Sequence, residues 1–372
     1  MSVTVKHISL PANKRVFAVS DVHGSLDYLK GLLSKISFSP DDVLILLGDL
    51  IEKGPCSLET LQYIISLSKT HTVHALRGNC DLLLFDDDIP DEWLFRYRHS
   101  WGGNMILNEL SARLNLPIRT AEDVSAGRQA AKREFPEEIA FLMDLPVILE
   151  SEQYIFVHGG IPGEESLSDL SHLTAWGCTK NDDFVGQGHR FRNKWCVVGH
   201  WPTTLYRTAF PCAEPLVCAE QQILSIDGGC AIKRDGQLNA VLLPAAPTAD
   251  RFSWVSYDTL PTAVALDKQT ASEDSINIRH GDNALEILSC GEEFCTCRHR
   301  SSGRTLDILT RDIWEAEQGV FCEDSTDYLL PVHPGDILSV IEKTSRGWLV
   351  KKNGVTGWYT GTLQEDVPCA VQ

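Results

Sequence analysis

Five short apolar runs each end in an aspartate, asparagine or histidine beside a glycine. Val16-Phe17-Ala18-Val19 runs into Ser20-Asp21-Val22-His23-Gly24, and Val43-Leu44-Ile45-Leu46-Leu47 into Gly48-Asp49. Val73-His74-Ala75-Leu76 leads to Arg77-Gly78-Asn79, Tyr154-Ile155-Phe156-Val157 to His158-Gly159-Gly160, and Trp195-Cys196-Val197-Val198 to Gly199-His200. The glycines let the backbone turn sharply at each run's end. Asp21, His23, Asp49, Asn79, His158 and His200 together offer oxygen and imidazole donors and require no thiolate. Such a set suits divalent Mn, Fe or Zn better than a cysteine-rich structural zinc site. Six protein donors exceed what one catalytic ion needs and fit two ions sharing a carboxylate. Paired ions of this kind activate a water and clamp phosphoryl oxygens for in-line attack.

The elements that must position these donors alternate. Strand-like 16–20, 43–47 and 72–76 are separated by helix-like 26–36 and by a helix for which Ser57 offers a cap. This βαβαβ order predicts parallel strands with crossover helices. Residues 102–143 read as mainly helical, and strands are expected at 146–149, 153–158, 195–199, 222–227 and 237–243. Leu243-Pro244-Ala245-Ala246-Pro247-Thr248, with two prolines and no periodicity, reads as a linker.

Residues 16–243 resemble the calcineurin-like metallophosphoesterases, in the branch of phosphoprotein phosphatases and diadenosine tetraphosphate hydrolases. Asp21-Val22-His23-Gly24 is similar to the family's Asp-x-His-Gly, and Gly48-Asp49-Leu50-Ile51-Glu52-Lys53-Gly54 to Gly-Asp-x-Val-Asp-Arg-Gly. Gly78-Asn79-Cys80-Asp81 is similar to Gly-Asn-His-Glu/Asp; His158-Gly159-Gly160 and Gly199-His200-Trp201-Pro202 resemble the two later histidine motifs. Ile226-Asp227-Gly228-Gly229 resembles a segment common in bacterial members. The resemblance implies an α/β αββα sandwich with the site at the strand ends. It assigns Asp21, His23 and Asp49 to one ion, and Asp49, Asn79, His158 and His200 to the second. Manganese is the first expectation for the pair, with iron or zinc as alternatives.

The match is incomplete. Cys80 stands where the family has a histidine that protonates the leaving group, while its acidic neighbour Asp81 is kept. Asp49, Asp81 and Cys80 are therefore the catalytic candidates. A thiol can donate a proton, and nearby cations would lower its pKa from about 8.5. Lys53 replaces the family's phosphate-binding arginine, keeping the charge and losing the bidentate fork. Lys53 and Arg77 are the substrate-binding candidates, with Lys180 a weaker one. Asp86-Asp87-Asp88 reads as a solvated loop, which would disfavour highly charged nucleotides if it faced the cleft. His99 is an alternative acid.

Beyond the linker, Gly281-Asp282 recurs as Gly335-Asp336, Phe294 as Trp348, Gly303 as Gly357 and Leu309 as Leu363, all at an offset of 54. This predicts two small β-barrels in tandem. The second resembles an SH3-like domain through Gly335-Asp336, Gly347-Trp348 and Gly357-Trp358-Tyr359, and its aromatics would form any peptide groove. The expected domains are 1–245 for the metallophosphoesterase part, 255–314 for a degenerate SH3-like unit and 315–372 for an SH3-like unit.

At 372 residues and net charge −18, the surface repels nucleic acid and anionic membrane. No apolar run approaches the roughly 18 residues that span a bilayer, and the N-terminus lacks the apolar stretch of a signal peptide. Twelve scattered cysteines then read as reduced thiols in a cytoplasmic protein, with Cys295-Thr296-Cys297 packed in a core. The expected activity is phosphoester hydrolysis on a phosphorylated protein or small phosphate ester, in the manner of a Ser/Thr phosphatase. The alternatives are hydrolysis of dinucleoside polyphosphates and a metal-binding scaffold with weak or no catalysis.

Overall fold

The computed structural model describes residues 2–365. Two compact units divide the chain. The first runs from the N-terminus to Thr203 and includes Pro215–Thr259; the second joins Thr204–Glu214 to the residues from Leu260 onward.

The first unit is a mixed α/β sandwich. One sheet has strands Val16–Val19, Val43–Leu46 and Thr72–Ala75 in parallel, extended by antiparallel Leu238–Leu242 and Ser253–Tyr257. In the other, Tyr154–Val157, Trp195–Val198 and Ile223–Ser225 run in parallel at the centre of six strands. The two-residue period of a strand sends alternate side chains to opposite faces. Val16, Ala18, Val43, Ile45 and Leu47 thus meet Leu149, Phe156, Val197 and Leu224 between the sheets. Phe17, Val19, Leu44 and Leu46 pack outward on Leu29, Leu32, Leu61 and Ile64 of helices Leu26–Lys35 and Ser57–Ser68. Behind the second sheet, Ile155, Val157, Cys196 and Val198 pack on Cys178 and Phe184.

Three local expectations change. The 243–248 segment is part of the sandwich, because Leu243 donates its N–H to the Val16 carbonyl and Tyr154 its hydroxyl to the Pro244 carbonyl at 2.6 Å. The chain then returns as strand Ser253–Tyr257 against Leu238–Leu242, so the unit extends to Thr259 rather than ending at 245. Ser57 does not cap its helix. Its Oγ accepts from the Glu52 N–H at 3.0 Å, and the Glu109 carboxylate receives the N–H groups of Ser57 and Leu58 at 2.7 and 2.9 Å.

The second unit holds two five-stranded sheets, each with a three-stranded meander: 284–290, 294–299 and 305–309 in one, 337–344, 347–352 and 355–359 in the other. The strands flanking the meanders cross the expected boundary at 314/315. Thr262–Ala265 pairs with Ile337–Ser339 in the second sheet, while Gly319–Cys322 joins the first beside Ala284–Leu285. Each sequence repeat thus lends its leading strand to the other repeat's sheet. The hairpins also differ in length: Phe294 faces Leu309, whereas Trp348 faces Tyr359, four residues short of Leu363. Trp358 and Tyr359 are buried, Trp358 donating to the Thr326 carbonyl at 2.7 Å and Tyr359 to that of Asp267 at 2.9 Å. They are core residues. Cys290 and Cys295, opposite one another on adjacent strands, are joined as a disulfide, contrary to the expectation of thiols throughout. Cys297 is a buried core residue, as expected.

Candidate metal centre

The donors sit where the two sets of parallel strands end. Asp21 follows Val16–Val19, Asp49 follows Val43–Leu46, Asn79 follows Thr72–Ala75, His158 follows Tyr154–Val157 and His200 follows Trp195–Val198. Four of the expected donors have left-handed backbones: Asp21 at φ +55°, His23 at +48°, Asp49 at +49° and His200 at +65°. Non-glycine residues seldom adopt this region, and such strain concentrates at functional sites. The close approach of the loops explains two glycines. A Cβ on Gly78 would overlap the Asp49 carboxylate, and one on Gly199 the side chains of Ser20 and Asp21.

The donors converge. His158 Nε2 lies 3.5 Å from Asp49 Oδ1, 3.9 Å from Asp21 Oδ1 and 3.3 Å from Asn79 Oδ1. His23 Nε2 lies 3.6 Å from Asp49 Oδ2 and 3.7 Å from Asp21 Oδ1. Asp49 belongs to both clusters, one with His23 and Cys80, the other with Asp21 and His158. Asp21 Oδ1 is buried with no hydrogen-bond partner. A buried carboxylate oxygen left unsatisfied is costly unless a cation meets it, so these residues fit divalent ions. The backbone fixes two rings: His158 Nδ1 is 2.7 Å from the Leu47 carbonyl and His23 Nδ1 3.4 Å from that of Ile51. Such contacts set the tautomer that leaves Nε2 for a metal.

Burial and the neighbouring charges pull the donors of the metal-free centre in opposite directions. Burial opposes charge on His158, yet Asp49 and Asp21 raise it to about 10. Burial, followed by Lys53, lowers His23 to about 3. Burial raises Asp21; at Asp49 burial also pushes upward, but His158, His23 and Lys53 together hold it well below the usual range.

The remaining expected residues take different places. His200 has its ring 5.2 Å from that of His158, but its Nε2 is 2.8 Å from Asp182 and 3.4 Å from Lys180. Lys53 reaches the centre, its Nζ 3.3 Å from His23 Nε2 and 3.9 Å from Asp49. Cys80 is buried; its N–H donates to Asp49 Oδ1 at 2.8 Å and its Sγ accepts from Asn79 at 3.2 Å. Burial and then Asp49 push its thiol well above 9. Asp81 turns from the centre to receive the N–H groups of Asp49, Leu50 and Gly78 at 2.9, 2.7 and 2.7 Å. Arg77 is buried beside Asn79. His99 is exposed next to the turn Ser100–Gly103.

A model of the calcineurin-like phosphoesterases matches residues 14–227. This chain belongs to the calcineurin-like phosphoesterases. It is 45% identical over 172 residues to the symmetrical bis(5′-nucleosyl)-tetraphosphatase of Salmonella typhimurium, covering 42% of this phosphoesterase and 60% of that one. The enzyme of the same name from Ectopseudomonas mendocina is 46% identical over 70 residues, 18% of this chain and 25% of that one. The phosphoesterase thus spans only part of each relative's length. A protein serine/threonine phosphatase from Saccharomyces cerevisiae superposes with a TM-score of 0.43 at 11% identity, over 70% of this chain and 85% of that one.

Three residues of this phosphoesterase escaped the sequence reading. Asp182 holds His200 from a loop without periodicity. Asp227, wholly buried, has one oxygen on the Gly229 N–H at 2.7 Å and the other without a partner; burial and then Asp21 raise it far above its usual value. Its signal was present, for Ile226-Asp227-Gly228 is one more strand end with an aspartate beside a glycine. Glu52, inside the second motif, is buried and raised to about 8 by burial, and accepts from the Ile106 N–H at 3.1 Å.

Proposed function

We propose that the chain hydrolyses a phosphoanhydride bond of dinucleoside polyphosphates in a metal-dependent reaction. The observation that carries it is the shared position of Asp49 between two buried donor clusters, Asp21 with His158 and His23 with Cys80. Asn79 Oδ1 stands within 3.3 Å of His158 Nε2, and His200, its ring 5.2 Å from that of His158 and its Nε2 on Asp182, is the remaining donor of the proposed set. Bound divalent ions supply an activated water and charge stabilisation of the phosphoryl oxygens.

The residues of this chain do the rest. Asp81 fixes the backbone from which Asp49 projects. Lys53, held cationic against burial by the nearby Asp49 carboxylate, offsets the substrate's negative charge. Arg77 does the same from the Asn79 side. Cys80 keeps its proton in the metal-free centre and is a weaker acid than an imidazolium. A nucleoside polyphosphate leaving group needs little protonation, so loss of the family's histidine costs least with such a substrate.

The phosphoprotein reading preferred from the sequence takes second place, because the relatives with extended identity are named tetraphosphatases. The SH3-like assignment of the C-terminal sheets, their peptide ligand and a cytoplasmic location remain parts of the proposal and rest on the sequence resemblance and composition. The deciding experiment incubates the Mn²⁺-loaded protein with bis(5′-adenosyl) tetraphosphate and, separately, a serine phosphopeptide, with Asp49→Asn as control. Nucleotide products without orthophosphate, absent in the variant, are expected. Faster orthophosphate release from the phosphopeptide would overturn the assignment.

A further inference from the structure

A cavity of about 480 Å³ opens beside Asn79, and apart from Arg77, Gly78 and Asn79 its lining lies outside the ligand set and the motifs. That volume lies in the range of small-molecule sites. Arg77 and Asn79 form the end next to the metal centre; Trp93, Trp176, Asp86 and Asp88 line the remainder among aliphatic side chains. The tryptophans come from distant parts of the chain, helix Asp91–Tyr97 and the short helix Ala175–Thr179. Only the fold brings them to one cavity.

Trp93 is 39% and Trp176 58% exposed, so large apolar rings are left open to water beside a reactive centre. One partner of Trp93 is already a stacked ring, Tyr97, at 4.3 Å and 21°, a pile that another flat ring extends. Asp86 and Asp88 repel phosphate, so the polyphosphate is not the occupant. Carboxylates accept hydrogen bonds, and a purine bearing an exocyclic amine has a π-face for the tryptophans and N–H donors for the aspartates.

The geometry points to this cavity as the site for the purine base of the substrate, with the adjoining phosphate passing Arg77 to reach Asn79. The inference rests on the dinucleoside polyphosphate reading and names the part of the substrate that gives specificity. It also reverses the significance expected of the acidic run: Asp86 and Asp88 face the cavity and select a base.

The test compares the Mn²⁺-loaded full chain with Trp176→Ala and Asp86→Asn on bis(5′-adenosyl) tetraphosphate and on p-nitrophenyl phosphate, which has no purine. Trp176→Ala is expected to raise KM for the dinucleotide roughly 5- to 100-fold, the effect of losing one base–aromatic stack. KM for the aryl phosphate stays unchanged, and Asp86→Asn repeats the pattern more weakly. Equal effects on both substrates, or none, overturn the inference. A KM shift for a phosphopeptide but not for the dinucleotide also overturns it, giving the cavity to a peptide side chain. Wild-type protein active on the aryl phosphate but inert on the dinucleotide removes the substrate reading alone. Adenosine quenching of tryptophan fluorescence then judges the cavity: quenching lost in Trp176→Ala supports it, and no quenching in the wild type rejects it.

Discussion

The Asp81 carboxylate receives the backbone N–H of Asp49 at 2.9 Å, tying the residue shared by both donor clusters to the loop that carries Asn79. The same carboxylate also receives Leu50 and Gly78. Asp81 is thus a positioning residue: it turns two strand ends into one rigid mount. Burial and then Asp49 raise its pKa to about 7, but three close N–H donors favour its ionised form.

Replacing Asp81 by Asn puts an amide among N–H donors and leaves at least one unsatisfied. A loss of about 1–3 kcal/mol in stability is expected, with Mn²⁺ affinity falling roughly 10- to 100-fold, as when support behind a ligand is removed. Urea unfolding and calorimetric titration with Mn²⁺ measure the two effects. Unchanged affinity would mean that the loops hold their geometry without this clamp.

Glu109 does for helix Ser57–Ser68 what the serine there was expected to do. Its two oxygens take the first N–H groups of the helix, and its charge lies at the positive end of the dipole. Glu109→Ala is expected to cost about 1–2 kcal/mol, seen as a lower thermal midpoint. Ser57→Ala removes a bond to the Glu52 N–H instead. A Glu109→Ala protein as stable as wild type would refute the cap.

Much of the site was legible because strand-end aspartates and histidines need glycines beside them, and that pairing survives in one dimension. What failed needs contacts across long stretches of chain. Val5–His7 has a single apolar residue in its span and becomes a strand only by lying parallel to Ile148–Glu150. Thr262–Ala265 and Gly319–Cys322 have no local mark of which sheet they join. The 54-residue offset recorded related meanders and was silent about exchanged flanking strands. Asp81 was legible as a catalytic type, but its contacts reveal a backbone clamp.

Glu52 gives the metal-free protein a pH dependence with a definite sign. Its carboxyl is raised from the usual 4.5 to about 8, chiefly by burial. The unfolded chain ionises above about 4.5, while the folded protein keeps Glu52 neutral until near pH 8. Its contribution to stability is therefore fully present below pH 4.5 and lost as pH rises through 8. Glu52→Gln keeps an oxygen for the Ile106 N–H and removes the titration. Relative to wild type, the variant should gain stability from pH 5 to 8, by at most about 4 kcal/mol. Parallel stability–pH curves would show that Glu52 is ionised in the folded protein.

Cys80 distinguishes this chain from the family pattern, and its position makes a spectroscopic prediction. Its sulfur lies with donor atoms of His23 and Asp49 inside one 4.8 Å cluster, close enough to share an ion with them. Burial and Asp49 keep the thiol protonated without metal; a divalent ion in the cluster reverses that balance, since a coordinating thiol is deprotonated. The Co²⁺-loaded protein should therefore show a near-ultraviolet sulfur-to-metal charge-transfer band, with proton release on loading. Cys80→Ser should lose the band while still binding Co²⁺ through Asp21, Asp49 and His158. A wild-type spectrum with no such band would leave the thiol outside the coordination sphere, as a proton donor held near the centre by Asn79.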